Sequence, residues 1–288
     1  MSWEVFFQCF INGIMSGSVL ILVALGLTMI FGIMHIVNFA HGELYMLGAF
    51  ALWIFFAELH LPYFFALILS MIIISGLGMV IERFLFKPFR GDLAPSFIIS
   101  LGLVMLLQTG TLLSFGIEDK AAPTPEGFQG LIRLGSAVLS RERLFVILIS
   151  GVLMVGVWLF IQKTKPGQAM RAVAQDPDAA ALQGISIDAT ASVAMGVGCA
   201  LAAAAGCLMA PIFYVNPYMG VAPIMKAFVV IILGGLGSVG GAFIGGFIIG
   251  FVDSFGSTYL SGPIAAMMVF GVLVLTLIFR PKGFFGHA

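Results

Sequence analysis

Apolar residues run in long blocks along this chain, and polar residues fall in short clusters between them. Blocks near 7–33, 42–58, 62–82, 95–116, 144–162, 190–214, 227–252 and 263–279 each approach or exceed the ~20 apolar residues a membrane-crossing helix needs. The interruptions carry turn and charge signals: His60-Leu61-Pro62, Lys87 to Asp92, Glu118 to Arg143, Lys163 to Asp188, and Asn216-Pro217. The pattern predicts an all-α, polytopic transmembrane helical bundle with about eight apolar segments. The first block lacks a basic leader and a clear cleavage site, so it reads as a retained helix.

Composition agrees with that pattern. Of 288 residues, 61% are hydrophobic and 9% charged, with a mean hydropathy of +1.15. A soluble domain carries roughly 25% charged residues, so this chain cannot cover a water-exposed globule. Zero formal charge gives no sign of nucleic-acid binding. Cys9, Cys199 and Cys207 sit inside apolar runs without metal-ligand spacing and read as small packing residues.

Positive charge in short loops orients the bundle. Arg83, Lys87 and Arg90 follow the third segment, Lys163, Lys165 and Arg171 the fifth, and Arg280 and Lys282 the last. Those three regions are expected inside the cell, the mixed loop 117–143 (with Arg133) and the N-terminus outside, and the C-terminus inside. Three crossings after 163–188 would then put Arg280 on the wrong side, so one segment is expected not to cross. The best candidate is 227–252, whose Gly234-Gly235-Leu236-Gly237-Ser238 run disfavours a continuous helix. A broken or re-entrant helix is expected there, with Gly241/Gly245 and Gly246/Gly250 set for close helix packing.

Three constellations could carry chemistry. Asn38, His41 and Glu43 put ionisable and amide groups at a predicted break between the first two segments. Intramembrane ionisable groups are costly and are functional candidates by default. They either satisfy the backbone of that break or line a permeation path, and both roles can share one cavity. The spacing does not suit a metal site. The second constellation, Gly234, Gly235, Gly237 and Ser238, has no following lysine, so it is no phosphate loop, and no Walker A motif occurs anywhere. Close packing is its first reading, and pathway-lining backbone its second. The third is the loop 163–188. Asp176 and Pro177 form an N-cap and first helical position, Ala179 and Ala180 suit a short helix, and Gly184 suits its end. An amphipathic stretch around Arg171 precedes it, and two short capped helices look like a docking surface.

At these residues a family resemblance enters. Asp178-Ala179-Ala180-x-x-x-Gly184 is similar to the EAA-x-x-x-G signature of ABC importer permeases, with Asp178 in place of glutamate. Gly26-Leu27-Thr28, Phe31-Gly32, Asn38 to Glu43, Arg171 to Asp176, Leu233 to Ser238 and Phe279-Arg280-Pro281-x-Gly283 together resemble the branched-chain amino acid permease family, in particular the shorter permease of its pair. The resemblance implies one transmembrane permease domain over 1–288, with 163–188 as a cytosolic coupling loop and no catalytic site or cofactor. It implies a sister permease, two cytosolic ATP-binding subunits and a periplasmic solute-binding protein as partners, in a bacterial inner membrane. Branched-chain amino acids, other amino acids, and urea or short amides all fit as solutes. A stand-alone secondary transporter or channel for small polar solutes is the main rival. Its usual intramembrane charge is sparse here: Glu43, with Glu82, Lys226 and Asp253 near predicted helix ends. A membrane enzyme would need a nucleophile triad, paired carboxylates or a metal cluster, none of which has recognisable spacing.

Overall fold

A computed structural model describes residues 3–134 and 137–285, with the side chains of Arg133, Leu134, Ala137 and Val138 outside the described set. Eleven α-helices are present among the described residues: α1 (Trp3–Met34), α2 (His41–Leu52), α3 (Tyr63–Ile81), α4 (Leu93–Phe115), α5 (Arg141–Lys163), α6 (Lys165–Gln175), α7 (Pro177–Leu182), α8 (Ile187–Met209), α9 (Val221–Gly234), α10 (Val239–Tyr259) and α11 (Gly262–Phe279). Wider π-type turns extend α2 through Glu58 and α3 through Phe86. Seven of these helices are long and apolar enough to cross a bilayer. One small element was not expected: an antiparallel hairpin, β1 (Leu131–Leu134) and β2 (Ala137–Ser140), in the loop 117–143.

Side-chain size sorts the helices into an interior and a rim. In α1 83% of the most apolar window is buried, and in α8 78%, against 11% in α11. Glycine and alanine make the interior possible. Gly13 and Gly17 of α1 face Phe251 and Phe247 of α10, and a side chain at Gly250 would strike the Gly17 backbone. Gly48 of α2 lies against Ala203 of α8 in the same way. Without a hydrophobic force between helices in lipid, such close backbone approach supplies the packing energy. The three thiols are buried within these contacts; Cys207 Sγ donates to Gly48 O at 3.2 Å. On the rim, Met105, Leu113, Met267 and Phe279 project outward, as a lipid-facing or partner-facing surface requires.

Contacts fix which segments share an end. Phe6 and Phe10 of α1 stack near Phe255 and Phe251, and Arg143 donates to Asn12, so the chain start, the 117–143 loop and the end of α10 lie together. At the opposite end, Gly91 N donates to Met34 O at 3.2 Å. There Gly32, Ile33, Arg171, Gly237 and Val239 also surround one small cavity, and Gly283 packs on Gly235. The three basic clusters therefore gather at one end. Lys87 pairs with Asp188 at 2.6 Å, and Arg90 bridges Asp188 and the buried Glu82.

The segment 227–252 is broken as expected and returns to the end it started from, since Lys226 and Asp253, which flank it, pair at 2.7 Å. It is the second half of α9 and the first two-thirds of α10, running antiparallel about Gly235–Ser238. The stretch 210–220 descends from the end of α8 to meet α9, whose 14 residues span ~21 Å, short of the ~30 Å hydrocarbon core. Loop and α9 complete a pass jointly, 227–252 itself makes no net crossing, and α11 returns Arg280 to the basic end, as the parity of the basic loops requires. The termini of the described chain thus lie at opposite ends.

Candidate functional site

Two places interrupt the helices of this bundle, one in its interior and one at its basic end. The first follows α1. His35 adopts φ 51° and reverses the chain. Residues 36–40 then climb back along α1 until α2 begins at His41, whose ring lies against Gly26, eight residues (about 12 Å) before the end of α1. A side chain at Gly26 would overlap the His41 ring, and one at Gly42 would overlap the Gly220 carbonyl at the start of α9. The N-termini of two short helices therefore meet inside the bundle.

Asn38, His41 and Glu43 are all at most 1% exposed here, but they face different neighbours, the His41 ring lying on α1 and the Glu43 carboxylate on α4. Glu43 Oε1 accepts from Gln108 Nε2 of α4 at 2.9 Å. Glu43 Oε2, both ring nitrogens of His41, both amide atoms of Asn38 and the Thr28 hydroxyl have no hydrogen-bond partner among the described residues. A buried polar group without a partner costs ~1–3 kcal/mol. None of these side chains caps α2, so the reading in which they satisfy the backbone of the break finds no hydrogen bond to support it.

The second interruption is the turn between α9 and α10. Gly235 and Gly237 adopt φ of 100° and 82°, a region where a Cβ is strained. Ser238 caps α10, its hydroxyl accepting from Gly241 N at 3.0 Å. The glycine pairs divide between neighbours: Gly241 and Gly245 face α9 at Gly234 and Val230, whereas Gly246 and Gly250 face α1. This turn does not join the Asn38–His41–Glu43 cluster. It lies at the basic end, where Gly237 and Arg171 border the same small cavity of about 80 Å³.

Arg171 belongs to α6, which packs Met170 and Val173 inward and donates from its guanidinium to Gln162. Asp176 then caps α7, its Oδ1 accepting from Ala179 N at 2.9 Å. Gly184, at φ 79°, ends it. Gly184 N donates to Ala181 O at 2.9 Å and Ile185 N to Ala180 O at 3.1 Å, the paired bonds of a Schellman motif. Ala180 is buried beneath α7, whereas Asp178 and Ala179 are exposed and Leu182 is 87% exposed. A leucine held out to water by two rigid caps is the marked feature of this surface.

At the opposite end a cavity of about 470 Å³ opens beside the Asn216-Pro217-Tyr218 turn. Asn216 Nδ2 donates to Asp119 Oδ1 at 3.1 Å. Lys226 of α9 and Asp253 of α10 line its wall, paired at 2.7 Å. Both residues stand in the sequence as charges at predicted segment ends, but their pairing is set only by the antiparallel fold of α9 on α10.

A family model described as branched-chain amino acid transport system / permease component matches residues 9–278. The chain belongs to this permease family. It is 34% identical to the high-affinity branched-chain amino acid transport system permease protein BraD of Pseudomonas aeruginosa, over 98% of this chain and 96% of that protein. It is 33% identical to LivH of Escherichia coli, a permease protein of the same description, over 98% and 96%. Among solved structures, PsaBC from Streptococcus pneumoniae in complex with Fab shares the fold at a TM-score of 0.52 and 10% identity, over 95% of this chain and 92% of that one.

Proposed function

We propose that this chain is the membrane-spanning subunit of an ATP-driven importer for branched-chain or related amino acids. Residues 1–288 act as one permease domain without a catalytic site or cofactor, and ATP is hydrolysed on two separate cytosolic subunits. A sister permease and a periplasmic solute-binding protein complete the assembly in a bacterial inner membrane. The basic end, with the C-terminus, faces the cytoplasm, in keeping with the positive-inside rule. The N-terminus and the 117–143 loop face the periplasm.

The observation that carries this reading is the doubly capped α7 with its exposed Leu182, at the basic end of a chain that matches permeases over nearly its whole length. The loop 163–188 docks into an ATP-binding subunit. Arg171 and Gly237, which border one cavity, pass its movement to the α9–α10 turn. Gly234, Gly235, Gly237 and Ser238 then act as a hinge beside the path, while Asn38, His41 and Glu43 line it, their unused hydrogen-bonding capacity available to water or solute.

Ala180 is buried, so a bulky residue there would disturb α7 itself. Docking is better tested at Leu182 and Ala179. Leu182→Asp and Ala179→Trp should leave membrane insertion and the thermal stability of the chain unchanged. Co-purification with the ATP-binding subunit and solute uptake should both fall by about tenfold, as loss of a buried interface anchor implies. Normal uptake by both variants would refute the docking role.

A further inference from the structure

The Lys226–Asp253 pair lies within its helices rather than at their ends. Lys226 is in the second turn of α9, and Asp253 is six residues before the end of α10. Packing does not require the pair, because Gly234–Gly241 and Val230–Gly245 already hold the two helices together. A partly buried ion pair is weak evidence for stability and is often replaced by apolar residues at no loss. Here it is 26% and 21% exposed, and it borders a cavity whose other walls include Val19, Leu20, Met209 and Met219. The volume of about 470 Å³ falls within the usual range for small-molecule sites.

A solute entering this cavity meets the Lys226–Asp253 pair, 2.7 Å apart, beside apolar walls, with Asp119, already held by Asn216, as a second carboxylate on the lining. A molecule with a single charge would neutralise one partner and strand the other. A molecule with no charge could not compensate their separation. An α-amino acid carries an ammonium and a carboxylate on one carbon, so it can insert into the pair with both charges matched. Its carboxylate would meet Lys226 Nζ, its ammonium Asp253 Oδ2, and an aliphatic side chain would lie on the apolar wall. We propose that Lys226 and Asp253 form a zwitterion-recognition pair in the outer cavity, selecting α-amino acids over urea, short amides and simple carboxylates. This deepens the permease reading and rests on it.

The test is direct binding to the purified full chain in lipid nanodiscs at low salt, by saturation-transfer NMR, without any solute-binding protein. The probes are L-leucine, 4-methylpentanoate and urea. L-Leucine should bind at least about tenfold more tightly than the others. The Lys226→Met/Asp253→Leu double variant should lose that binding by about tenfold while keeping the parent's thermal unfolding midpoint. Should that variant not fold, Lys226→Asp/Asp253→Lys keeps the helix clamp but reverses its polarity, and L-leucine affinity should again fall about tenfold. Equal binding of urea or 4-methylpentanoate, unchanged L-leucine binding in a folded variant, or no binding of L-leucine overturns the proposal. Co-purification with an ATP-binding subunit is scored separately. Assembly without L-leucine binding removes the pair's role and leaves the permease reading standing. Binding without assembly does the reverse.

Discussion

The chain interrupts its helices twice, at 35–40 leading into the bundle interior and at 235–238 at the basic end, with opposite materials. The second break closes its own backbone. Ser238 N donates to Gly235 O at 3.0 Å, while Phe284 N and Phe285 N donate to Leu233 O and Gly234 O at 2.9 and 3.0 Å. The last carbonyls of α9, orphaned by the helix end, are thus taken up by the chain terminus. The first break is bordered by side chains whose polar atoms stay unused: Asn38, His41, Thr28 and one oxygen of Glu43. Non-helical backbone survives in a membrane only when protein buries it or water reaches it. One break is finished as architecture. The other keeps a costly unfilled capacity, which selection for stability alone would have removed.

Filling space at the finished break should have the largest effect. A side chain at Gly241 would overlap the Gly234 carbonyl, and there is only backbone to push against. Gly241→Val is therefore expected to cost more than about 3 kcal/mol, the upper range for overpacking. Thermal unfolding in detergent should show loss of the cooperative transition, together with poor accumulation in membranes. A variant as stable as the parent would mean that α9 and α10 do not pack in this antiparallel register.

At the unfinished break the expected sign reverses. Asn38→Leu replaces a buried amide that makes no hydrogen bond with an apolar side chain of similar volume, which removes a penalty of ~1–3 kcal/mol. The unfolding midpoint should stay level or rise. Uptake by the assembled importer should nevertheless fall by about tenfold, because the path loses a polar wall. His41→Leu should behave alike. If either variant loses stability in proportion to uptake, Asn38 and His41 are structural and the contrast between the two breaks fails.

The sequence shows some of this contrast and hides the rest, for physical reasons. Long apolar blocks mark α1, α3, α4, α5 and α11 to within about four residues, because a bilayer-crossing helix needs a sustained apolar run. The caps of α7 were equally legible, since Asp176-Pro177 and Gly184 act on their own backbone within a few residues. Local chemistry leaves local signals. In 227–252 the glycine run marked the break, but hydropathy does not record direction, so the antiparallel course of α9 and α10 about it was not legible. Lys226 with Asp253, and Gln108 with Glu43, meet only through the tertiary fold. Asn38, His41 and Glu43 could be picked out as polar residues in an apolar setting. That they would be left without partners could not.

The smallest effect isolates the cap of the finished break. Ser238 precedes α10, and its hydroxyl satisfies one amide of that helix's first turn, at Gly241. Ser238→Ala leaves the glycine contacts and the turn dihedrals in place and removes only that bond. N-cap loss typically costs ~1 kcal/mol, so a modest fall in the unfolding midpoint is expected. Ser238→Asp restores an acceptor beside the helix N-terminus and should recover most of it. Because Ser238 is half-buried at the basic end, beside the cavity bordered by Arg171 and Gly237, hydrogen exchange should report faster opening of the first turn of α10 in the alanine variant alone. The amides of α2 should exchange as in the parent. Altered exchange in α2 would show that the two breaks move as one element, and the division between architecture and pathway would have to be redrawn.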